Sequence, residues 1–336
     1  MAASSLLTRP SRLRIPLLPS RGVLSVFEVA CLAAALAVGF GVRAPHLADI
    51  AVLTFLWAGL ALAWNLSGGY ANLISFGHAA FFGIGAYTST ILGLQLEVTP
   101  WLGLWAGAAI AGLFGALLAV VFARLRGPFF ILSTLAAAEV VRIAALNWTD
   151  LTGGAEGLSI LPTPSFAGMV FSEKTPYLAL AAFYMLALFG LSKWIERSRF
   201  GFHLSAIRDD EDAAAAAGIN PVRVRVIAMA LSGGMTAIGG SLFAQYFLYL
   251  DPTHVISPEL SFQFALLAAL GGLGTAIGPI LGSFVITPLS ELLRSTLGNA
   301  ATGLHLVVYS AVLLWVMLYF PGGLAALLRA RRSERK

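Results

Sequence analysis

The chain has 336 residues, of which 58% are hydrophobic and only 11% are charged, and its mean hydropathy is +0.85. Because a soluble domain carries about 25% charged residues, this composition excludes a soluble protein and indicates an integral membrane protein. The net charge of +5 does not indicate a nucleic-acid partner, since the basic residues stand at the ends of apolar segments. The single cysteine, Cys31, predicts neither a disulfide framework nor a thiolate metal site.

Apolar segments of about the length that crosses a bilayer, roughly 20 residues, follow one another along the chain. The two between about 260 and 290 are the shortest and could instead form one span and a re-entrant hairpin. The sequence therefore predicts an all-α polytopic membrane protein with about ten transmembrane helices, some broken or re-entrant. The ten segments are 23–42, 48–66, 77–93, 101–123, 128–146, 176–192, 226–248, 260–271, 275–290 and 303–320.

The N-terminal residues 1–21 contain four arginines and no acidic residue. The apolar run that follows is longer than the 7 to 15 residues of a signal-peptide core, so we expect a retained first span rather than a secretory or transit peptide. Glu28 lies near the cytoplasmic end of this span, where a partner on another helix or snorkelling can accommodate it.

The distribution of basic residues predicts the orientation of the chain. With the N-terminus inside, seventeen of the 21 basic residues fall in cytoplasmic segments, which predicts an N-in, C-in protein. The expected regions are a basic cytoplasmic tail (1–21), a transmembrane domain (22–325) and a second basic tail (326–336). Within the domain, 147–175 is the longest external loop and 193–225 is a cytoplasmic loop. The seventeen residues are Arg9, Arg12, Arg14, Arg21, Arg124, Arg126, Lys193, Arg197, Arg199, Arg208, Arg223, Arg225, Arg329, Arg331, Arg332, Arg335 and Lys336.

Polar residues and glycines crowd the junction of the second and third segments. Broken backbone at membrane depth is tolerated only where protein or a water-filled cavity surrounds it, so this stretch is predicted to line a pathway or a tight helix crossing. Ser75, Ala79 and Gly83 repeat every fourth residue, which predicts a small-residue face on one helix. His78 has no flanking acid and is interpreted as a hydrogen-bonded interior residue rather than a proton carrier or ligand. The polar and glycine residues are Asn65, Ser67, Gly68, Gly69, Tyr70, Asn72, Ser75 and His78.

The external loop 147–175 is rich in turn-forming residues and carries acidic ones. It could be a tether or a docking rim, and its length slightly favours docking.

In the span that begins near Pro128, Glu139 and Arg142 stand three residues apart on one helix. They can neutralise each other, either as a buried pair or as a gating element.

A second glycine-rich stretch contains Gly274, Gly278 and Gly282 beside Gly271 and Gly272. It lacks the Lys-Ser/Thr of a phosphate-binding loop, so it predicts close packing and a helix break.

The loop from Lys193 to Arg225 holds five of the sixteen acidic residues. Asp209 or Asp210 can cap a short helix from Glu211 to Ala217, which contains the alanine run 213–217, and Gly218 can end it in the left-handed conformation. A helix of about seven residues is too short to be stable alone in water. It either docks on a partner, with Arg208 at the rim, or is a solvated connector against its own bundle.

Catalytic signatures are absent from the sequence: there is no GxSxG, no HExxH and no lysine in a Walker A context. The sequence therefore predicts a protein that is not an enzyme, with any ATP handled by another subunit.

Together these motifs resemble the M-type permease subunit of branched-chain amino acid ABC transporters. The resemblance follows family order from about residue 50 to 325. The matching stretches are GYANLISFGHAAFFGIGAYT, RLRGPFFILSTLAAAEVVR, LTGGAEGL, RSRFGFHLSAIRDDEDAAAAAGINPVRVR, GGLGTAIGPILG and FPGGL.

The resemblance implies a multi-pass permease of the bacterial inner membrane. Its expected partners are a homologous second permease, two cytoplasmic ATPases that bind ATP and Mg, a periplasmic substrate-binding protein and membrane lipid, with no cofactor or metal on this chain. It implies an ATPase-coupling segment formed by Arg208, Asp209, Asp210, Glu211, Asp212, Ala213, Ala214, Ala215, Gly218 and Asn220. We expect the glycine-rich segments to line the translocation path through Asn72, Ser75, Phe76, Gly77, His78, Tyr87, Gly271, Gly272 and Gly274.

Two positions depart from the family pattern. Glu211-Asp-Ala-Ala stands where ABC permeases often carry Glu-Ala-Ala, and Glu156 stands where an amide or small residue is common.

Related subunits that carry urea, short amides or aromatic acids share these motifs, so the substrate stays open. An ion-coupled carrier would need acids at the path, and the intramembrane candidates Glu28, Asp49 and Glu139 lie outside the glycine-rich segments. The sequence lacks the nucleophile and base motifs that an intramembrane hydrolase would need.

Overall fold

A computed structural model of the protein describes residues 26–41, 45–161, 165, 167–297 and 323–325. The predicted basic tails and the apolar segment 303–320 lie outside these residues. The described part is almost entirely helical. Its helices are α1 (Val26–Gly41), α2 (Pro45–Gly68), α3 (His78–Leu96), α4 (Pro100–Val121), α5 (Pro128–Asn147), α6 (Thr149–Thr152), α7 (Lys174–Arg197), α8 (Arg199–Asp209), α9 (Glu211–Ala216), α10 (Pro221–Phe247), α11 (Pro252–Val255), α12 (Pro258–Gly271) and α13 (Gly278–Leu297).

Six of the described helices, α2, α3, α4, α5, α7 and α10, are long and apolar enough to cross a membrane. Shorter apolar helices cover Glu28–Ala37 and Gly278–Leu293, and α12 has 14 residues. Every predicted apolar segment within the described residues coincides with a helix. The prediction of an all-α polytopic membrane protein is confirmed, while the number of ten crossings stays a prediction.

The interior is built on close backbone contact between α10 and its neighbours. A Cβ on Gly85 of α3 would lie 2.0 Å from the carbonyl oxygen of Ala237, and one on Gly240 would lie 2.0 Å from that of Phe82. Neither position can therefore hold a side chain, and the two helices cross at the distance that small residues permit. Helix α2 lies beside them and contributes the fully buried Phe55 and Leu60.

Hydrogen bonds define two opposite ends of the bundle. At one end, called here the α8–α9 end, Arg225 donates to the carbonyl oxygen of Ala123 (2.7 Å), which places the turn after α4 beside α9 and the start of α10. At the other end, the strands β1 (Leu158–Ser159) and β2 (Tyr249–Leu250) pair antiparallel, so the long loop after α5 contacts the segment after α10. The loops predicted to be cytoplasmic and external thus separate onto two ends.

Cysteine labelling tests which end faces which side of the membrane. In a Cys31→Ser background, an impermeant reagent applied to intact cells should label a cysteine at Ser159, which is exposed in β1, and should not label one at Asp209. Asp209 is a better tag position than Asp210, because it is exposed without capping α9. Tags at Ser4 and Ser333 should be shielded too. Labelling at position 209 from outside would show that the orientation is the reverse of the predicted one.

Candidate functional site

The short helix α9 is capped at both ends. The Asp210 carboxylate accepts from the backbone N–H groups of Asp212 (3.0 Å) and Ala213 (2.9 Å), so Asp210 rather than Asp209 is the cap. Beyond the helix, Gly218 adopts φ +87°, as its predicted C-terminal role requires. Asn220 then caps α10 by accepting from the N–H of Arg223 (3.1 Å), and Pro221 begins that helix. The predicted helix and its boundaries are confirmed to within a residue.

Two arginines from neighbouring segments hold the first turn of α9. The Glu211 carboxylate lies 2.6 Å from Arg225, whose side chain is only 8% exposed, and 3.3 Å from Arg126. Arg126 also donates to both carboxylate oxygens of Asp212, at 2.8 and 3.2 Å. This hydrogen bonding, followed by the positive charge of Arg126, lowers the pKa of the Asp212 carboxyl below its ordinary value. Glu211 therefore fixes α9 to the bundle through the buried Arg225, whereas the pair of Asp212 and Arg126 lies at the surface, with side chains 78% and 59% exposed.

The alanine run leaves most of its surface open. Ala214 alone turns inward and is buried in the same apolar cluster as Ile207 and Val224. Ala213, Ala215, Ala216 and Ala217 are exposed and present no polar side chain. The helix gains stability from contact with its own bundle, as the connector alternative predicts, while docking of its exposed face on a partner stays a prediction.

The loop 193–225, predicted to be cytoplasmic, is largely helical. A second helix, α8, precedes α9 and is capped by Ser198, whose hydroxyl oxygen accepts from Gly201 N (3.1 Å). The loop is not solvated throughout, because Lys193, Glu196 and Arg225 at its two ends are each largely buried in ion pairs. Whether Arg208 contacts a partner at the rim of a docking groove stays a prediction, but within the chain it has a contact of its own. Its guanidinium covers Gly274, with Nη1 only 2.3 Å from the place that a Cβ would take.

The first helix break covers residues 69–77, between α2 and α3. Trp64 donates to the carbonyl oxygen of Ser75 (2.8 Å), which folds the break back along α2. Because α3 begins at His78, Ser75 lies outside the helix, and the predicted three-residue face is reduced to Ala79 and Gly83. Gly83 packs against Ile256 at a distance that excludes a side chain.

His78 lies fully buried in a hydroxyl network. Its Nε2 atom is 2.8 Å from the Ser232 hydroxyl of α10 and 3.5 Å from that of Ser67, and Ser232 donates to the carbonyl oxygen of Ala63 (2.7 Å). The network joins α2, α3 and α10 next to the first break. The interpretation of His78 as a hydrogen-bonded interior residue is confirmed.

The second helix break covers residues 272–277, between α12 and α13, and it lies against the first. The Asn65 side chain accepts from Gly274 N (3.0 Å) and donates to Thr275 O (3.0 Å). Gly274, at φ +67°, is in this turn rather than on a helix, so only Gly278 and Gly282 of the predicted repeat share a helix face. A Cβ on Gly282 would lie 2.1 Å from Leu267 O, which confirms the predicted close packing.

One residue of the site escaped the sequence reasoning. Glu196, near the end of α7, accepts from the Tyr70 hydroxyl (2.8 Å) in the first break and from Ala276 N (3.2 Å) in the second. Burial, and then the Glu196 charge, raises the pKa of Tyr70 well above its ordinary value, so the hydroxyl keeps its proton and donates. Nothing in the sequence pattern distinguishes Glu196 from its charged neighbours, because both contacts lie far away along the chain.

Glu139 and Arg142 form the ion pair that their spacing predicted, with Arg142 Nε 2.9 Å from Glu139 Oε2. The pair is not buried within this chain, since the two side chains remain 38% and 25% exposed. The reason is the position of α5. Only 17% of its apolar stretch is buried within the chain, compared with 78% for α2. The charges therefore stand on an outer face of the bundle.

The residues expected along the path divide between interior and surface. Asn72 is exposed and Phe76 is half-buried against Phe262, with ring centroids 4.3 Å apart. Gly274 is half-buried beneath Arg208. The others, Ser75, Gly77, His78, Tyr87, Gly271 and Gly272, are buried within the chain. Among the described residues, no group of three or more His, Cys, Asp or Glu side chains could hold a metal ion.

A bundle of apolar helices with two abutting helix breaks defines a polytopic membrane protein. Residues 46–318 match the family model described as branched-chain amino acid transport system / permease component. The chain belongs to this family.

Curated relatives agree with this assignment. The chain is 30% identical over 309 residues to the high-affinity branched-chain amino acid transport system permease protein LivM of Escherichia coli K12, covering 84% of this chain and 70% of the relative. Identity to LivM of Salmonella typhimurium is 29% with the same coverage, and identity to LivH of that organism is 25% over 80% of this chain and 90% of the relative. The higher identity to LivM confirms the M-type resemblance. No solved structure matches the chain.

Proposed function

We propose that the chain is the M-type permease subunit of an ATP-binding-cassette importer that carries branched-chain amino acids across the bacterial inner membrane. Family membership supports the class of substrate, and the observation that carries the mechanism is α9. It is fixed to the bundle by Glu211 and leaves a smooth alanine face open. A face of this kind fits a groove on a cytoplasmic ATPase subunit.

Each feature of α9 suits the transmission of force. The Asp210 cap and the Gly218 turn keep the helix formed even though it has only six residues. The ion pairs with Arg126 and Arg225 connect it to the turn after α4 and to α10. An ATPase that moves α9 therefore also moves these segments. ATP and Mg bind on the ATPase subunits in this scheme, and this chain holds neither.

The translocation path is proposed to run along the outer face of α5, where a homologous second permease covers it. An ion pair near the middle of a span is costly in lipid, so a pair as exposed as Glu139 and Arg142 requires a protein partner or a water-filled path beside it. Asn72 and Phe76 of the first break reach the surface of the chain as well. Among the buried members of the expected path residues, Ser75 and His78 hold the first break through hydrogen bonds, and Gly271 packs at the second.

Uptake measurements test the proposal. Cells that lack their own importers should take up labelled leucine when they express this chain with its second permease, two ATPases and periplasmic binding protein. Omission of the ATPases should abolish uptake, because transport is driven by ATP. Uptake of labelled urea and of labelled benzoate is measured in the same cells for comparison. Uptake of either in place of leucine would overturn the substrate assignment, and uptake without the ATPases would overturn the importer class in favour of an ion-coupled carrier.

A further inference from the structure

Glu196 joins three parts of the fold that are distant in sequence. Its Oε1 atom accepts from Tyr70 in the first break and from the Ala276 N–H in the second. Its Oε2 atom accepts from Lys193 (3.1 Å), which also pairs with Glu28 of α1. The Glu196 side chain is 12% exposed, so these hydrogen bonds form largely away from water, where a carboxylate acceptor is strongest.

The second break is held from two sides. Asn65 of α2 binds Gly274 and Thr275, whereas Glu196 of α7 binds Ala276. The first break touches the same turn, because a Cβ on Gly69 would lie 2.6 Å from Gly274 N. The two breaks therefore cannot move independently, and Glu196 is the charged group that contacts both.

Glu196 also lies at the start of the segment that leads to α9. Ser198, two residues later, caps α8, and α8 runs directly into the Asp210 cap of α9. The Arg208 guanidinium of α8 lies over Gly274 in the same break. A displacement of α8 and α9 consequently acts on the second break at two points, through Arg208 and through Glu196.

We infer that Glu196 is a positioning residue that transmits the displacement of α8 and α9 to both helix breaks. It acts through the Tyr70 hydroxyl and the Ala276 N–H and does not contact the substrate. The transport consequence rests on the proposed function, whereas the contacts themselves do not.

Hydrogen exchange of the purified full chain tests the contacts without any partner. Glu196→Ala should raise amide exchange in 69–77 and 272–277 by about tenfold, because the acceptor of the Ala276 N–H is lost, and should leave α4 and α10 protected. Glu196→Gln should stay near the native rate, since the amide oxygen can still accept both bonds. Unchanged exchange in both breaks of Glu196→Ala would overturn the inference, whatever the chain transports.

The assembled importer tests transmission. Glu196→Ala should retain its ATPases and their basal hydrolysis, while substrate carried per ATP hydrolysed falls about tenfold. Glu196→Gln should restore most of that ratio. Glu173→Ala, an exposed acid at the other end of α7, is the matched control and should behave as native. A parallel fall of yield, hydrolysis and uptake in Glu196→Ala, or equal defects in Glu196→Gln, would show a merely structural or charge role and would contradict the inference.

Discussion

Ala215→Trp is expected to remove the ATPase subunits from the purified complex and to lower ATP-dependent uptake by at least about tenfold. The Ala215 side chain is exposed on α9 and makes no contribution to the core, so the indole has room in the isolated chain. The same indole blocks a partner groove shaped for alanine. A loss of about 1.4 kcal/mol of docking free energy already corresponds to tenfold weaker binding. Co-purification and uptake of labelled leucine measure the two effects.

The matched control is Ala109→Trp, which places the same side chain on the exposed surface of α4. It should leave both measurements unchanged. Ala119→Val is a poorer control, because Ala119 is 1% exposed and an added methyl group would overpack the core. Full uptake and full ATPase recovery by Ala215→Trp would make α9 a connector only.

Gly218→Val probes the same helix through its backbone. Nothing lies within 4 Å of a Cβ on Gly218, so the substitution causes no clash, but φ +87° is unfavourable for a β-branched residue by about 1 kcal/mol or more. The variant should insert normally and lose part of its ATPase recovery. This result would connect docking to the shape of the α9 terminus rather than to its side chains alone.

The second large effect is expected from Gly278→Leu, which should prevent assembly of a folded, transporting chain. A Cβ at this position would lie 2.4 Å from Gly272 O and 2.5 Å from Thr275 Oγ1, so a leucine displaces the backbone of the second break. Overpacking typically costs about 1–3 kcal/mol, and more where the obstacle is backbone that must move. The yield of monodisperse protein in detergent and the uptake of labelled leucine should both fall.

Gly190→Leu is the control for this variant. Gly190 is also a helical glycine in a span, but it is exposed on α7 and nothing lies within 4 Å of its Cβ position. It should express and transport as the native chain does. If Gly278→Leu matched it in both measurements, the face of α13 that carries Gly278 would look into lipid rather than against the second break.

Patterns local in the sequence were sufficient to predict the membrane-spanning helices and the short helix α9. Hydrophobic runs predicted each described span, because a bilayer demands an apolar segment of fixed length. Asp210, the alanine run and Gly218 predicted a short capped helix, because caps act within a few residues of the helix end. The same reasoning marked the two glycine-rich breaks, since polar and glycine residues at that depth need surrounding protein.

The tertiary structure alone decided which of these local features meet. The sequence placed Arg208 and Glu196 in a charged loop between spans, yet one covers Gly274 and the other binds Tyr70 and Ala276. The spacing of Glu139 and Arg142 predicted that they form a pair, but it did not show that α5 leaves the pair on an outer face of the bundle. Contacts between residues far apart in the chain depend on how helices pack, and packing depends on side-chain shape at every crossing rather than on local propensity.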